Sequence, residues 1–158
     1  MSEPIHAVSG KSRQVRALHL DDLDAVLDIE RQGYSHPWTP GVFRDCFHAN
    51  YRTWALTEDK EVIGYAVVAY MVDEAHLLNL CVARRHHRSG GARYLLRHLI
   101  AQARQENMSR VLLEVRLSNE PAVTLYNSEG FEQIGIRPQY YPAVRGRESA
   151  RVMALVIA

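Results

Sequence analysis

The chain has 158 residues, 47% hydrophobic and 23% charged, the profile of one globular domain with enough apolar residues for a real core. Its formal net charge of +1 gives no global field for nucleic acid or a membrane surface, and no stretch approaches the ~20 apolar residues of a bilayer span. Two cysteines, Cys46 and Cys81, are too few for a disulfide framework. Residues 1–14 lack the apolar core of a secretory signal and read as a loose polar extension, so the expected compartment is the cytoplasm.

Residues 15–158 read as one domain. Val15 to Leu18 is a short strand candidate, and Asp21 and Asp22 open a helix that carries Leu23, Val26, Leu27 and Tyr34 at helical spacing. His36-Pro37-Trp38 interrupts it. Thr39 and Pro40 then supply a cap and a first helical residue, with Val42, Phe43 and Phe47 expected to face a core. Tyr51–Thr57 and Val62–Tyr70 flank the polar turn Glu58-Asp59-Lys60-Glu61 as a hairpin, and Glu74–Val82 is the next strand. After a glycine turn, a long segment places Leu95, Leu96, Leu99, Ile100 and Ala103 on one helical face. Arg110–Val115 is a strand. Asn119 and Pro121 start a helix that Gly130 closes, and Phe131–Ile136 and Ala150–Ile157 are the last strands, with a loop from Arg137 to Arg147 between them. The pattern predicts an α/β fold whose central mixed, mostly antiparallel sheet carries helices on both faces.

Chemistry concentrates after the strand Leu77-Leu78-Asn79-Leu80-Cys81-Val82. A basic loop, Arg84-Arg85-His86-His87-Arg88-Ser89, leads into Gly90-Gly91-Ala92 and the helix. Strand, glycine turn and helix start form an anion cradle: the glycines let the backbone approach closely, and the first free N–H groups of the helix point at the ligand. A solvated basic loop before a glycine-capped helix would look the same. The loop lacks the Lys-Ser/Thr of a P-loop and the three spaced glycines of a dinucleotide fingerprint. Glu114 interrupts the apolar run Val111–Val115, where partial desolvation would make its carboxylate a better proton acceptor; pairing with Arg116 is the plainer explanation. Tyr126 reads as a core aromatic and Asn119 as a helix cap when each is taken alone. The eight histidines form no His-x-x-x-His helix pair, and there is no Cys-x-x-Cys, so no metal site is expected. No Gly-x-Ser-x-Gly elbow is present, and Cys81 lies in an apolar run unsuited to a nucleophile.

His87 to Ala92 resembles the Gln/Arg-x-x-Gly-x-Gly/Ala loop of the GNAT acetyltransferase superfamily, with His87 where the family has Gln or Arg. Further stretches over roughly residues 15–157 are similar to one branch, the bacterial ribosomal-protein alanine N-acetyltransferases. They are His36-Pro37-Trp38-Thr39, Asp73-Glu74-Ala75, Asn79–Val82, Leu113-Glu114-Val115-Arg116, Ser118-Asn119, Ala122–Phe131 and Tyr140-Tyr141-Pro142. The resemblance implies acetyl-coenzyme A as co-substrate, no metal, and the N-terminal alanine of a small-subunit ribosomal protein, protein eighteen, as acceptor. Other protein N-termini, lysine side chains and small amines are the alternative acceptors. By position it implies Glu114 as general base and Tyr126 as general acid. It gives Leu80, Cys81 and Val82 the pantetheine arm and the thioester carbonyl, and Arg88, Ser89, Gly90, Gly91, Ala92 and Arg93 the pyrophosphate. Asn119 becomes a further coenzyme contact, and Tyr140-Tyr141-Pro142 a wall of the peptide site. No direct nucleic acid or membrane partner is implied.

Overall fold

The computed structural model describes residues 12–158. Strands β1 (Arg13–Ala17), β2 (Tyr51–Glu58), β3 (Glu61–Met71), β4 (Glu74–Val82), β5 (Arg110–Arg116), β6 (Glu132–Pro142) and β7 (Arg147–Val156) form one sheet in the order β1-β2-β3-β4-β5-β7-β6. Helices α1 (Leu23–Gly33), α2 (Pro40–Asp45), α3 (Gly91–Gln105) and α4 (Glu120–Ser128) complete the α/β architecture. The sheet is mixed: β4 and β5 run parallel, whereas the β1–β2, β5–β7 and β6–β7 ladders are antiparallel. The extension expected over residues 1–14 lies outside the described residues through position 11, and Arg13 and Gln14 already pair with Glu58 and Thr57 in β1.

The chain divides into two compact units, the first comprising the described residues through Val67 together with Asn79–His98, the second Val68–Leu78 with Leu99–Ala158. In the first unit, Leu23, Val26, Leu27 and Ile29 of α1 pack with Phe43, Cys46, Ala55, Tyr65, Val67 and Cys81. Their spacing gives α1 its single apolar face. Asp22 fixes the helix entrance, binding both Nη atoms of Arg16 (2.8 and 2.9 Å) and the His19 N–H (2.8 Å). The Arg16 guanidinium holds the Asp22 carboxyl below the usual carboxylate range. Thr39 caps α2 by accepting from the Val42 N–H at 3.3 Å. Only part of the expected α2 face is inward: Phe43 is buried, but Val42 is 41% exposed. The two are consecutive, about 100° apart around the helix, so one inward face does not take both. The β2–β3 turn puts Asp59 and Lys60 at φ +49° and +72°, the left-handed pair that a two-residue hairpin requires.

In the second unit the parallel ladder runs from Glu74↔Arg110 to Leu77↔Leu113. The Arg110 Nε donates to Glu74 at 2.7 Å across its first rung, which pins the register. Val111, Leu113, Val115, Phe131, Ala150 and Met153 are buried here. The loop expected from Arg137 to Arg147 is shorter than its composition suggests. Arg137, Tyr141 and Pro142 pair with Ala150, Glu148 and Arg147, and a register shift between Arg137 and Tyr141 absorbs Pro138.

Burial sets an alkaline limit on stability. The Cys81 thiol is pushed up to about 12, first by burial and then by the Glu30 charge, and the phenols of Tyr65 and Tyr126 are raised chiefly by burial. The folded state therefore keeps protons that the unfolded chain releases above about pH 9 for thiols and about pH 10 for phenols. Stability must fall as pH rises through that range. Urea midpoints should decline between about pH 9 and pH 11; a level midpoint would show that these groups titrate normally in the folded chain.

Candidate active site

In the first unit the candidate ligand-binding segment is built as the end of β4 from Asn79 to Val82, a 3-10 turn at Arg84–His86, and the N-terminus of α3. Gly90 has φ +82°, a left-handed conformation that costs a side-chain-bearing residue more than glycine. Gly91 is needed for space, because a Cβ there would meet Leu56 at 3.1 Å and Val82 at 3.5 Å. The turn thus presses the helix start against the sheet and leaves the first N–H groups of α3 facing outward, with Tyr94 the first to bond back, to Gly90 O at 3.0 Å. Arg13 braces the turn through the Ser89 carbonyl at 3.1 Å. A cleft of about 480 Å³ lies beside it, lined by Gly90, Arg93, Tyr94, Arg97 and His98.

The basic loop is more selective than its composition suggests. Arg85 is ion-paired with Glu61, and Arg84 reaches the Gln32 carbonyl at 2.8 Å. Arg85 is thus already matched by a carboxylate, and the Arg84 guanidinium is tied to the end of α1. The His87 ring is bonded to the Val82 carbonyl at 2.9 Å, so it ties the loop to the end of β4.

Of the strand residues, Cys81 and Val82 are buried and Leu80 is half-buried. The Leu80 carbonyl accepts from the Tyr34 hydroxyl at 3.1 Å. Next to it lies a group that sequence reasoning missed. Glu30 is 1% exposed, and its carboxylate accepts from Tyr65 Oη, from Asn79 Nδ2 at 2.9 Å and from the Trp38 N–H at 2.8 Å. Such a buried carboxylate is tolerable because donors surround it. The only local signal was a charged residue on the apolar side of α1.

In the second unit Glu114 sits on β5, half-buried, opposite Val152 of β7. Its carboxylate is not stranded among apolar groups and does not pair with Arg116. Arg137 Nε lies 2.5 Å from Glu114 Oε2 in an ion pair, while Arg116 is held by Glu148 at 3.3 Å and the Pro142 carbonyl at 2.7 Å. Tyr141 donates to the Glu114 main-chain carbonyl at 3.0 Å, and burial followed by the Glu114 charge pushes its phenol up to about 12. Tyr140 stacks edge-on against Tyr141 at 4.9 Å. These tyrosines, Glu114 and Arg137 form one polar cluster within this unit. Tyr126 on α4 is 8% exposed, packs on Phe131 at 5.6 Å, and is raised by burial and by Tyr141. Asn119 caps α4 by accepting from the Ala122 N–H at 3.3 Å. Among the described residues no group of His, Cys, Asp and Glu could hold a metal ion, and no helix is long and apolar enough to cross a membrane.

Comparison with known proteins decides the family. Residues 23–131 match the model of the acetyltransferase (GNAT) family. The chain belongs to the GNAT family. GNAT acetyltransferases use acetyl-coenzyme A, and a strand followed by a glycine turn and a helix is the local structure expected to receive its phosphates. Among similar GNAT sequences, the ribosomal protein bS18-alanine N-acetyltransferase of Escherichia coli K12 is 36% identical over 144 residues, covering 91% of this chain and 97% of the relative. That of Haemophilus ducreyi is 39% identical over 137 residues, covering 86% and 94%. The crystal structure of the Escherichia coli ribosomal-protein-S18-alanine N-acetyltransferase superposes with a TM-score of 0.89 at 35% identity, covering 93% of this chain and 95% of that one.

Proposed function

We propose that this GNAT enzyme transfers the acetyl group of acetyl-coenzyme A to the N-terminal alanine of a small-subunit ribosomal protein of the bS18 type, in the cytoplasm. The observation that carries the acceptor is the 36–39% identity, over 86–91% of this chain, to enzymes of that specificity. The residues present suit the co-substrate. The Gly90-Gly91 turn and the α3 N–H groups, with Arg88, Ser89, Ala92 and Arg93, would hold the pyrophosphate; Leu80, Cys81 and Val82 the pantetheine arm; Asn119 a further coenzyme contact. When bound, the thioester supplies an activated acetyl carbon.

The peptide α-amino group has a pKa near ~8, so at neutral pH much of it arrives as ammonium and must lose a proton before it attacks. Glu114 takes that proton, directly or through water. Backbone N–H groups of the Leu80–Val82 segment stabilise the developing oxyanion. Tyr126, whose phenol stays protonated far above neutrality, gives a proton to the departing thiolate. No covalent enzyme intermediate is required, in keeping with a Cys81 thiol that burial keeps protonated.

The acceptor is tested by following thiol release and peptide mass with three acceptors: a short peptide beginning with alanine, the same peptide N-blocked and carrying an internal lysine, and a small polyamine. Acetylation of the free alanine terminus alone is the expected result. Faster transfer to the blocked peptide or the polyamine would move the function to the lysine or small-amine acceptors.

A further inference from the structure

Glu114, Val152 and Gly135 occupy one row of the second unit's sheet, since Val152 pairs with Glu114 on one side and Gly135 on the other. Side chains in one row share a face, and Arg137, two residues beyond Gly135 on β6, shares it too. Two strand spacings, about 10 Å, separate β6 from β5, a distance two converging long side chains can close. A Cβ placed on Gly135 would meet nothing within 4 Å, so the space beside the row is open. Arg137 crosses this row to reach the carboxylate, and its guanidinium also lies 5.2 Å from the Tyr140 ring.

The two arginines of this cluster are held differently. Arg116 is 25% exposed, bonded to both Glu148 and the Pro142 carbonyl, and stacked 4.5 Å over Tyr141. Arg137 is 59% exposed, and its ion pair is with Glu114. An exposed guanidinium that leaves its carboxylate regains water, so the pair is weak and exchangeable. The acceptor amine arrives largely as a cation, and two cations compete for one carboxylate.

We infer that Arg137 is an exchangeable counter-ion of Glu114: it occupies the carboxylate until the acceptor's terminal ammonium displaces it. The inference rests on the reading of Glu114 as the acceptor's base. After the exchange the ammonium proton passes to Glu114 and the neutral amine attacks; Glu114 then gives that proton up to solvent, and Arg137 returns to the restored carboxylate once the product is an uncharged amide. Arg137 is thus a positioning residue that keeps the carboxylate paired in the free enzyme and weakens the hold of the acceptor's ammonium on it.

The test compares the wild type with Arg137→Gln, both saturated with coenzyme A, by calorimetric titration with an alanine-initiated peptide and with its N-acetylated twin. For the free-amine peptide, Kd should fall about two- to five-fold in Arg137→Gln, the range an exposed ion pair spans. The acetylated twin has no ammonium, so its affinity should not improve. An unchanged or raised Kd for the free amine, or an equal shift for both peptides, overturns the inference. In a Glu114→Gln background the Arg137→Gln effect should vanish, and its persistence would equally overturn it. Full turnover by Glu114→Gln would instead remove the base role, a separate failure, because the peptide titrations report competition for the carboxylate without reference to chemistry.

Discussion

Replacing Glu114 with Gln should lower turnover by about 10²–10⁴-fold, the range that positioned proton transfer supplies. Gln keeps the shape of the side chain, and the Tyr141 bond to the Glu114 main-chain carbonyl does not depend on it. The variant should therefore fold and bind acetyl-coenzyme A with little change. What it loses is a site for the ammonium proton. The deficit should narrow as pH rises past the peptide amine's pKa near ~8, where solvent already delivers neutral amine. The check is single-turnover transfer to an alanine-initiated peptide from about pH 6.5 to about pH 9.5, a range that straddles that value. Near-normal turnover would end the base assignment, and a deficit of constant size would mean that the carboxylate orients the acceptor rather than deprotonating it.

Tyr126→Phe should have an effect of comparable size, about 10²–10⁴-fold, through the other proton. Burial and the nearby Tyr141 keep this phenol in its acid form at any physiological pH, the form that can donate to a leaving thiolate. Phe preserves the ring that packs on Phe131 at 5.6 Å, so the loss should appear in turnover and not in stability or acetyl-coenzyme A affinity. Combined with Glu114→Gln, the loss should be smaller than the product of the two, because residues that serve one reaction as a unit are non-additive. The measurement is kcat beside acetyl-coenzyme A Kd for the single and double variants. Wild-type kcat in Tyr126→Phe would hand the leaving-group proton to another donor.

Local signals in the sequence were legible where the physics is local. Thr39 and Asn119 cap their helices with their own side chains, accepting from Val42 and Ala122. Gly130 follows α4 at φ +97°, the left-handed closure expected of it. Glu114 stood out as the carboxylate of an apolar run, and it is half-buried on the strand where the run placed it. Its partner was not legible. The nearest arginine in sequence, Arg116, shares Glu114's face of β5 but is held by Glu148 and the Pro142 carbonyl, whereas Arg137 arrives from β6 through a pairing that only the completed sheet defines. The same limit hid the second half of β6, beyond the strand expected over Phe131–Ile136. Pro138 and the paired tyrosines read as loop, because nothing in that segment announces that β7 will supply ladder partners across a register shift. Residue type alone also overstated the charge of the basic loop, since Arg85 is neutralised by Glu61, a partner from another element.

Glu30 carries a consequence for how this chain can change. Its carboxylate serves Tyr65 and Asn79, which lie 35 and 49 positions away, as well as the Trp38 backbone. Loss of either side-chain donor strands an acceptor away from water, and replacement of Glu30 by an apolar residue strands two side-chain donors and a main-chain N–H. Single exchanges at these positions are costly, and even a concerted apolar replacement would leave the Trp38 N–H without its acceptor. The three sites therefore constrain one another: a chimera whose parents differ at residues 30, 65 and 79 should take all three from one parent.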